Sequence, residues 1–188
     1  MSYLRVLTGI CLIAGLAACR RQMPMDEHTA HMSAGDLAGA PANPNGSQGV
    51  AGLPPSANTA AARLKASNRH AEWVKIAWEP GSKDSLMAWI VYPSTSNART
   101  PVVVVIHESF RLSTWVRGVA DQVAADGFIA IAPDLNSRVR GGPSSDELPG
   151  DSAQKLIRGV SPAEKNMGIS AAARFAMSQP SAAQRYAV

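Results

Sequence analysis

His107 and Glu108 stand side by side directly after Val102-Val103-Val104-Val105-Ile106. An imidazole exchanges protons near neutral pH, and a carboxylate can take up a proton or hold one in place for a neighbour. Five consecutive β-branched residues behind Pro101 predict a strand buried on both faces, because a surface strand would alternate. Ligands of open α/β sheets bind outside the carboxyl ends of such strands, which makes Glu108 a candidate catalytic residue. The blander alternative is a loop carboxylate that pairs with an arginine or caps the following helix. His107 reads as a residue that fixes this loop by hydrogen bonds rather than as a base. No second histidine stands at metal-protease spacing from it, so no metal or other cofactor is expected. Met23, Met25, His28, His31 and Met32 offer copper-type thioether and imidazole ligands. Their spacing closes no site, and they read as part of a polar tail.

The elements that must position His107 and Glu108 follow from pattern. A short helix is expected within residues 58–69, where Ala60, Ala61, Ala62 and Leu64 cluster. Residues 72–79 and 85–92 read as two strands joined by Pro80-Gly81-Ser82-Lys83-Asp84, which is turn chemistry, and so form an antiparallel hairpin. After the valine-rich strand, Ser113 is a plausible N-cap for a helix carrying Trp115, Val116, Val119, Ala120, Val123 and Ala124 at helical spacing, with Gly127 as its stop. Phe128 to Pro133 is a second wholly apolar strand, completing a βαβ unit. Residues 136–150, rich in Gly, Pro, Ser and charge, predict a long surface loop. A short helix over 152–159 is followed by a capping box with proline at its first helical position, Ser161-Pro162-Ala163-Glu164, which opens a helix to about Ser178. A last strand begins at Arg185.

Composition divides the chain into three parts. Residues 1–18 carry one cation, Arg5, then an apolar run to Ala18; the run is shorter than the roughly 20 residues a spanning helix needs and predicts a signal peptide. It ends in Leu16-Ala17-Ala18-Cys19, which resembles a bacterial lipobox, with Cys19 as the lipidated mature N-terminus. A signal that is merely cleaved is the alternative. The expected location is therefore a bacterial membrane, with Arg20 after the cysteine favouring the outer one and the chain facing the periplasm. Residues 19–59, dominated by Ala, Gly, Pro, Asn and Ser, cannot bury enough surface to offset ordering entropy and predict a flexible tether. Residues 60–188 form the expected α/β domain. The formal net charge of +4 is scattered, without the basic stripe of a nucleic-acid footprint, so no nucleic-acid partner is expected.

Taken together, Val103-Val104-Val105-Ile106-His107-Glu108, Trp115-Val116-Arg117 and the stretch from Ala124 through Pro133-Asp134-Leu135 resemble the dienelactone hydrolase family of α/β-hydrolases. The resemblance runs from about Ala60 to Val188 and implies the N-terminal half of that fold, an antiparallel hairpin leading into a parallel βαβ sheet flanked by helices. It implies hydrolysis of small esters or lactones by a Cys or Ser nucleophile in a glycine-flanked elbow, with an aspartate and a histidine following in the chain. On that resemblance Glu108 contacts the nucleophile and tunes its protonation, and the backbone N–H of Ser109 is one oxyanion donor.

The chain departs from the pattern in two places. No Gly-x-Ser-x-Gly or Gly-x-Cys-x-Gly occurs in it, and Ser170, within Gly168-Ile169-Ser170-Ala171-Ala172, lacks the second glycine. The elbow is expected just past Val188, so this chain reads as a truncated hydrolase, inactive alone, whose last strand would leave a long apolar edge. The other departure is Arg111, where relatives commonly carry glycine; keeping a φ > 0 conformation there would cost on the order of 1 kcal/mol. The competing reading is a non-catalytic, lipid-anchored binding lipoprotein.

Overall fold

The computed structural model describes residues 52–95 and 99–188. The expected signal segment, Cys19, the Met/His cluster and most of the expected tether lie outside the described residues. Strand β1 (Ala71–Ala77) runs antiparallel to β2 (Ser85–Val91), with Trp73 opposite Trp89 and Ile76 opposite Leu86. The two indoles meet edge to face at 5.6 Å. The intervening turn closes with Trp78 N–H donating to the Asp84 carbonyl at 2.9 Å, and Gly81 supplies the positive φ of +80° that the turn requires.

Strand β3 (Thr100–Val104), helix α2 (Thr114–Ala125) and strand β4 (Ile129–Asp134) form the βαβ unit, with β3 and β4 parallel. The sheet order is β1-β2-β4-β3-β5, so β4 lies between β2 and β3, antiparallel to the former. Strand β5 (Ala182–Ala187) pairs parallel with the other edge of β3. Helix α1 (Ala60–Ala66) precedes the hairpin, while α3 (Ser137–Arg140), α4 (Gly150–Gly159) and α5 (Pro162–Met177) join β4 to β5.

Helix α5 covers one sheet face. Its Ala171, Ala172 and Ala176 lie against Ile90, Val102, Val104, Ile129 and Ile131, small side chains letting the helix approach closely. Gly168 carries this furthest, since a Cβ there would stand 3.0 Å from Leu135 Cδ2. The capping box at its start forms: Ser161 Oγ accepts from Glu164 N–H, and the Glu164 carboxylate accepts from Ser161 N–H. Helix α2 covers the opposite face with Ala120 and Ala124 on Val91 and Ala130, and with Val116 near Ala132.

Four expectations change. Every residue of β4 is buried, but β3 alternates, with Val102 and Val104 buried and Val103 and Val105 only partly so. The cause is α2, which lies over β4 and leaves the second face of β3 half-covered. Residues 136–150 are not simply a surface loop, since they contain α3 and bury Asn136, Ser137 and Ser144. The end of the expected tether packs: Pro55 is buried, Trp115 Nε1–H donates to its carbonyl at 2.8 Å, and a Cβ on Gly118 would meet its ring at 2.6 Å. The outer edge is mixed rather than wholly apolar, with Gln184 and Arg185 exposed on β5 beside exposed Tyr186 and Ala187.

Two buried polar residues of α2 have partners on the segment around α1. Asp121 accepts from Arg69 Nε at 2.9 Å and from Ser67 Oγ at 2.7 Å, and the Gln122 side-chain carbonyl accepts from Arg63 at 2.6 Å. Removing one partner of a buried pair strands the other charge, so Asp121→Ala is expected to cost about 3 kcal/mol in urea unfolding. The double change Arg69→Met with Asp121→Leu should recover part of that loss.

Candidate active site

The carboxyl ends of the parallel neighbours β3 and β4 lie side by side. The β3 end continues into His107, Glu108, Ser109 and Phe110; the β4 end continues from Asp134 into Leu135 and Asn136. Ser113 caps α2, accepting from Val116 N–H at 3.4 Å, which fixes where the first of these loops must finish.

His107 is buried and both its nitrogens are engaged. Nε2 lies 3.1 Å from Leu135 N–H and must accept from it, so the ring proton sits on Nδ1, which donates to the Glu108 carbonyl at 2.7 Å. His107 thus fastens the first loop to the end of β4, as the sequence suggests, and has no nitrogen left over for proton transfer. A second fastening comes from Asn136, whose Nδ2 donates to the Phe110 carbonyl at 3.0 Å. Asn136 is itself held by Asp134, whose Oδ1 accepts from Asn136 N–H at 3.2 Å and from Ser144 Oγ at 3.0 Å.

Glu108 and Ser109 are exposed at a cavity of about 490 Å³. Its walls are apolar, with Ile106 and Leu135 below the loop and Ile157 and Ile169 contributed by α4 and α5. Arg158 and Lys165 add positive charge. The Glu108 carboxylate accepts only a long bond from Phe110 N–H at 3.4 Å and forms no ion pair among the described residues. It therefore keeps acceptor capacity for a further donor. Ser109 N–H donates to no group of the described residues.

Arg111 carries no strain, because its φ is not positive. The loop runs through this position in an ordinary conformation and the guanidinium donates to the Asp146 carbonyl at 3.2 Å. The Asp146 carboxylate takes Thr114 N–H at 2.9 Å at the start of α2, so residues 141–149 are tied across this end of the sheet. Ser170 lies mid-helix in α5 and lines a different groove, of about 580 Å³, with Trp78 and Arg174; none of His107, Glu108 and Ser109 reaches it. His70 pairs with exposed Glu72 on β1 at 3.1 Å. The supporting residues Asn136, Ser144 and Asp146 were hidden by their loop-like composition, although Asp134, a polar residue closing an apolar strand, marked the place.

A model of the dienelactone hydrolase family matches residues 86–185, more than half of the chain and all of this cavity. The chain belongs to the dienelactone hydrolase family. A provisionally named hydrolase fragment, YghX, of Escherichia coli (strain K12) is 36% identical over 83 residues, which are 44% of this chain and 68% of that protein. A provisionally named carboxymethylenebutenolidase of Salmonella typhi is 34% identical over 59 residues, 31% of this chain and only 22% of that one. Among solved structures, one titled m3DLH superposes with a TM-score of 0.52 at 19% identity, covering 64% of this chain and 49% of its own. That likeness concerns the fold alone, a mixed α/β sheet flanked by helices as in α/β-hydrolase folds. The chain spans about half of that structure and less than a quarter of the carboxymethylenebutenolidase.

Two carboxylates here respond to pH in opposite senses. Burial pushes Asp134 above its ordinary value of 3.8, against the opposing pull of Ser144, His107 and Asn136. A raised folded value stabilises the fold fully below the unfolded pKa, and that contribution is lost as pH rises through the folded one. Wild-type stability, measured against Asp134→Asn by urea unfolding, should therefore fall as the pH is raised from below 3.8. Burial alone would raise Asp146, but the Thr114 hydroxyl and N–H, with Arg117 and Arg111, hold it below the ordinary range. Its contribution is present above the unfolded pKa and disappears as pH falls, so Asp146→Asn should flatten the acid limb.

Proposed function

We propose that this chain carries the substrate-binding and oxyanion half of a carboxylic ester or lactone hydrolase site. The observation that supports it is the pairing, at one apolar cavity, of a Glu108 carboxylate without an ion pair among the described residues, held only by a long bond from Phe110 N–H, with an unengaged backbone N–H on Ser109. An oxyanion forming in hydrolysis needs preorganised N–H donors, and a Cys or Ser nucleophile needs a carboxylate or base to manage its proton. Glu108 then acts on the nucleophile's proton, Ser109 N–H on the developing negative charge, and the isoleucines exclude water. Family membership supplies the hydrolase class; ester or lactone as the bond, and the Cys or Ser triad, are inferences from it. Arg158 and Lys165 suit a substrate or product bearing negative charge.

The sequence contains no Gly-x-Ser-x-Gly or Gly-x-Cys-x-Gly motif. The chain by itself should then turn over neither p-nitrophenyl acetate nor a small lactone. That absence also supports a second reading, a lipid-anchored lipoprotein that binds such compounds without cleaving them, held to the outer membrane by lipid on Cys19. Mass spectrometry of the exported protein should find a diacylated or triacylated Cys19 in either case.

The deciding measurement is turnover set beside binding. Under the hydrolase reading, an ester or lactone perturbs the backbone amides of Glu108 and Ser109 in heteronuclear spectra, and Glu108→Gln alters the perturbation. Sustained turnover unaffected by Glu108→Ala would overturn the roles assigned here, as would ligand shifts confined to another face.

A further inference from the structure

Ser109 N–H can serve an oxyanion only if its peptide is held the right way round, and the Glu108–Ser109 peptide lies in an exposed loop. Such a peptide can turn over by compensating changes in the dihedrals on either side of it, carrying its C=O and N–H to opposite directions. What stops it here is a single hydrogen bond. His107 Nδ1–H donates to the Glu108 carbonyl at 2.7 Å. In a trans peptide the C=O and the following N–H point in opposite directions, so fixing the Glu108 oxygen on the imidazole directs Ser109 N–H away from the ring. The ring cannot itself rotate freely, because it is buried and Nε2 accepts from Leu135 N–H at 3.1 Å. Asn136 fixes a carbonyl two residues further along the same loop, that of Phe110, from the position next to Leu135 on the β4 side.

We propose that His107 is a positioning residue that sets the direction of the Ser109 N–H, and so makes the oxyanion donor, without touching substrate. This rests on the hydrolase reading of the cavity and adds to it the residue that aims the donor. The order of protons is essential. Leu135 N–H occupies Nε2, which forces the ring proton onto Nδ1, and only that tautomer can hold the Glu108 oxygen. Three backbone groups are thereby linked through one imidazole: the N–H of Leu135 sets the tautomer, the tautomer sets the Glu108 carbonyl, and the carbonyl sets Ser109 N–H. A buried histidine serving stability alone would need none of this sequence.

The test uses the full chain, labelled with nitrogen-15, and butyrate as the probe, a carboxylate of the size that ester hydrolysis would release. In wild type, butyrate should shift the Ser109 amide together with those of Ile157 and Ile169. Replacement by leucine, His107→Leu, removes both ring bonds and should weaken the Ser109 response about tenfold, the worth of one hydrogen bond, while Ile157 and Ile169 still respond. His107→Asn places an amide donor near the former Nδ1 and should restore the response, whereas His107→Gln, reaching instead to the former Nε2, should not. If His107→Leu fails to fold, the contrast between Asn and Gln carries the test.

An unchanged Ser109 response in the leucine or glutamine variant, with only the melting temperature lowered, would overturn the proposal and leave His107 a purely structural residue. A wild-type Ser109 that stays silent while Ile157 and Ile169 respond would also overturn it, yet leave the cavity as a binding site. Silence at all three would overturn the hydrolase reading and this proposal with it.

Discussion

Strand β4 surrenders water on both faces at once, and most of the architecture answers that demand. Six successive buried residues need cover above and below and neighbours on both edges, because each unsatisfied backbone group in such a place costs as much as a lost hydrogen bond. Helix α5 provides one cover with alanines and a glycine that bring its axis close; α2 provides the other. The edges are taken by β2 and β3. Once these four elements are fixed around β4, the carboxyl ends of β3 and β4 lie next to each other, and the loops they emit have to share the same space. The site is the product of that crowding.

What happens to polarity where β4 emerges explains how the loops are kept apart. Asp134 ends the strand fully buried, and its carboxylate gathers the Asn136 N–H and the Ser144 hydroxyl. Without those donors the carboxylate would be a desolvated charge with no compensation. With them it becomes a fixed post: one side holds the 141–149 segment, and the other holds Asn136, which in turn holds Phe110. The burial that raises the Asp134 pKa is therefore the same burial that makes it useful as an anchor.

Much of this was legible in the sequence, and unevenly so. Elements with strong local signals read correctly: the hairpin from its Pro-Gly turn, α2 from Ser113 and Gly127, and α5 from the capping box at Ser161. Family membership and the α/β class also followed from the apolar strands and the residues at their ends. Where the reading failed, the missing information was tertiary. A run of valines cannot reveal that α2 will lie over β4 and leave Val103 half-covered. Gly-, Pro- and Ser-rich composition suggested open loops at 52–59 and 136–150, but Pro55 finds a glycine to rest on and Ser144 finds a buried carboxylate. Short polar residues favour loops and also make good partners for buried charge; composition records the first property and is blind to the second. His107 was legible as a loop-fixing residue, whereas the order of its two hydrogen bonds was not, since that depends on the position of β4.

The edge-to-face indoles of Trp73 and Trp89 sit directly opposite each other on β1 and β2, with the Arg117 guanidinium over both rings at 5.8 and 5.3 Å. Two chromophores locked at that separation and at 69° exchange excitation, and their coupled transitions give a circular-dichroism couplet distinct from the helical bands. The molecule consequently carries its own optical gauge of whether the first two strands are in register, readable without any label.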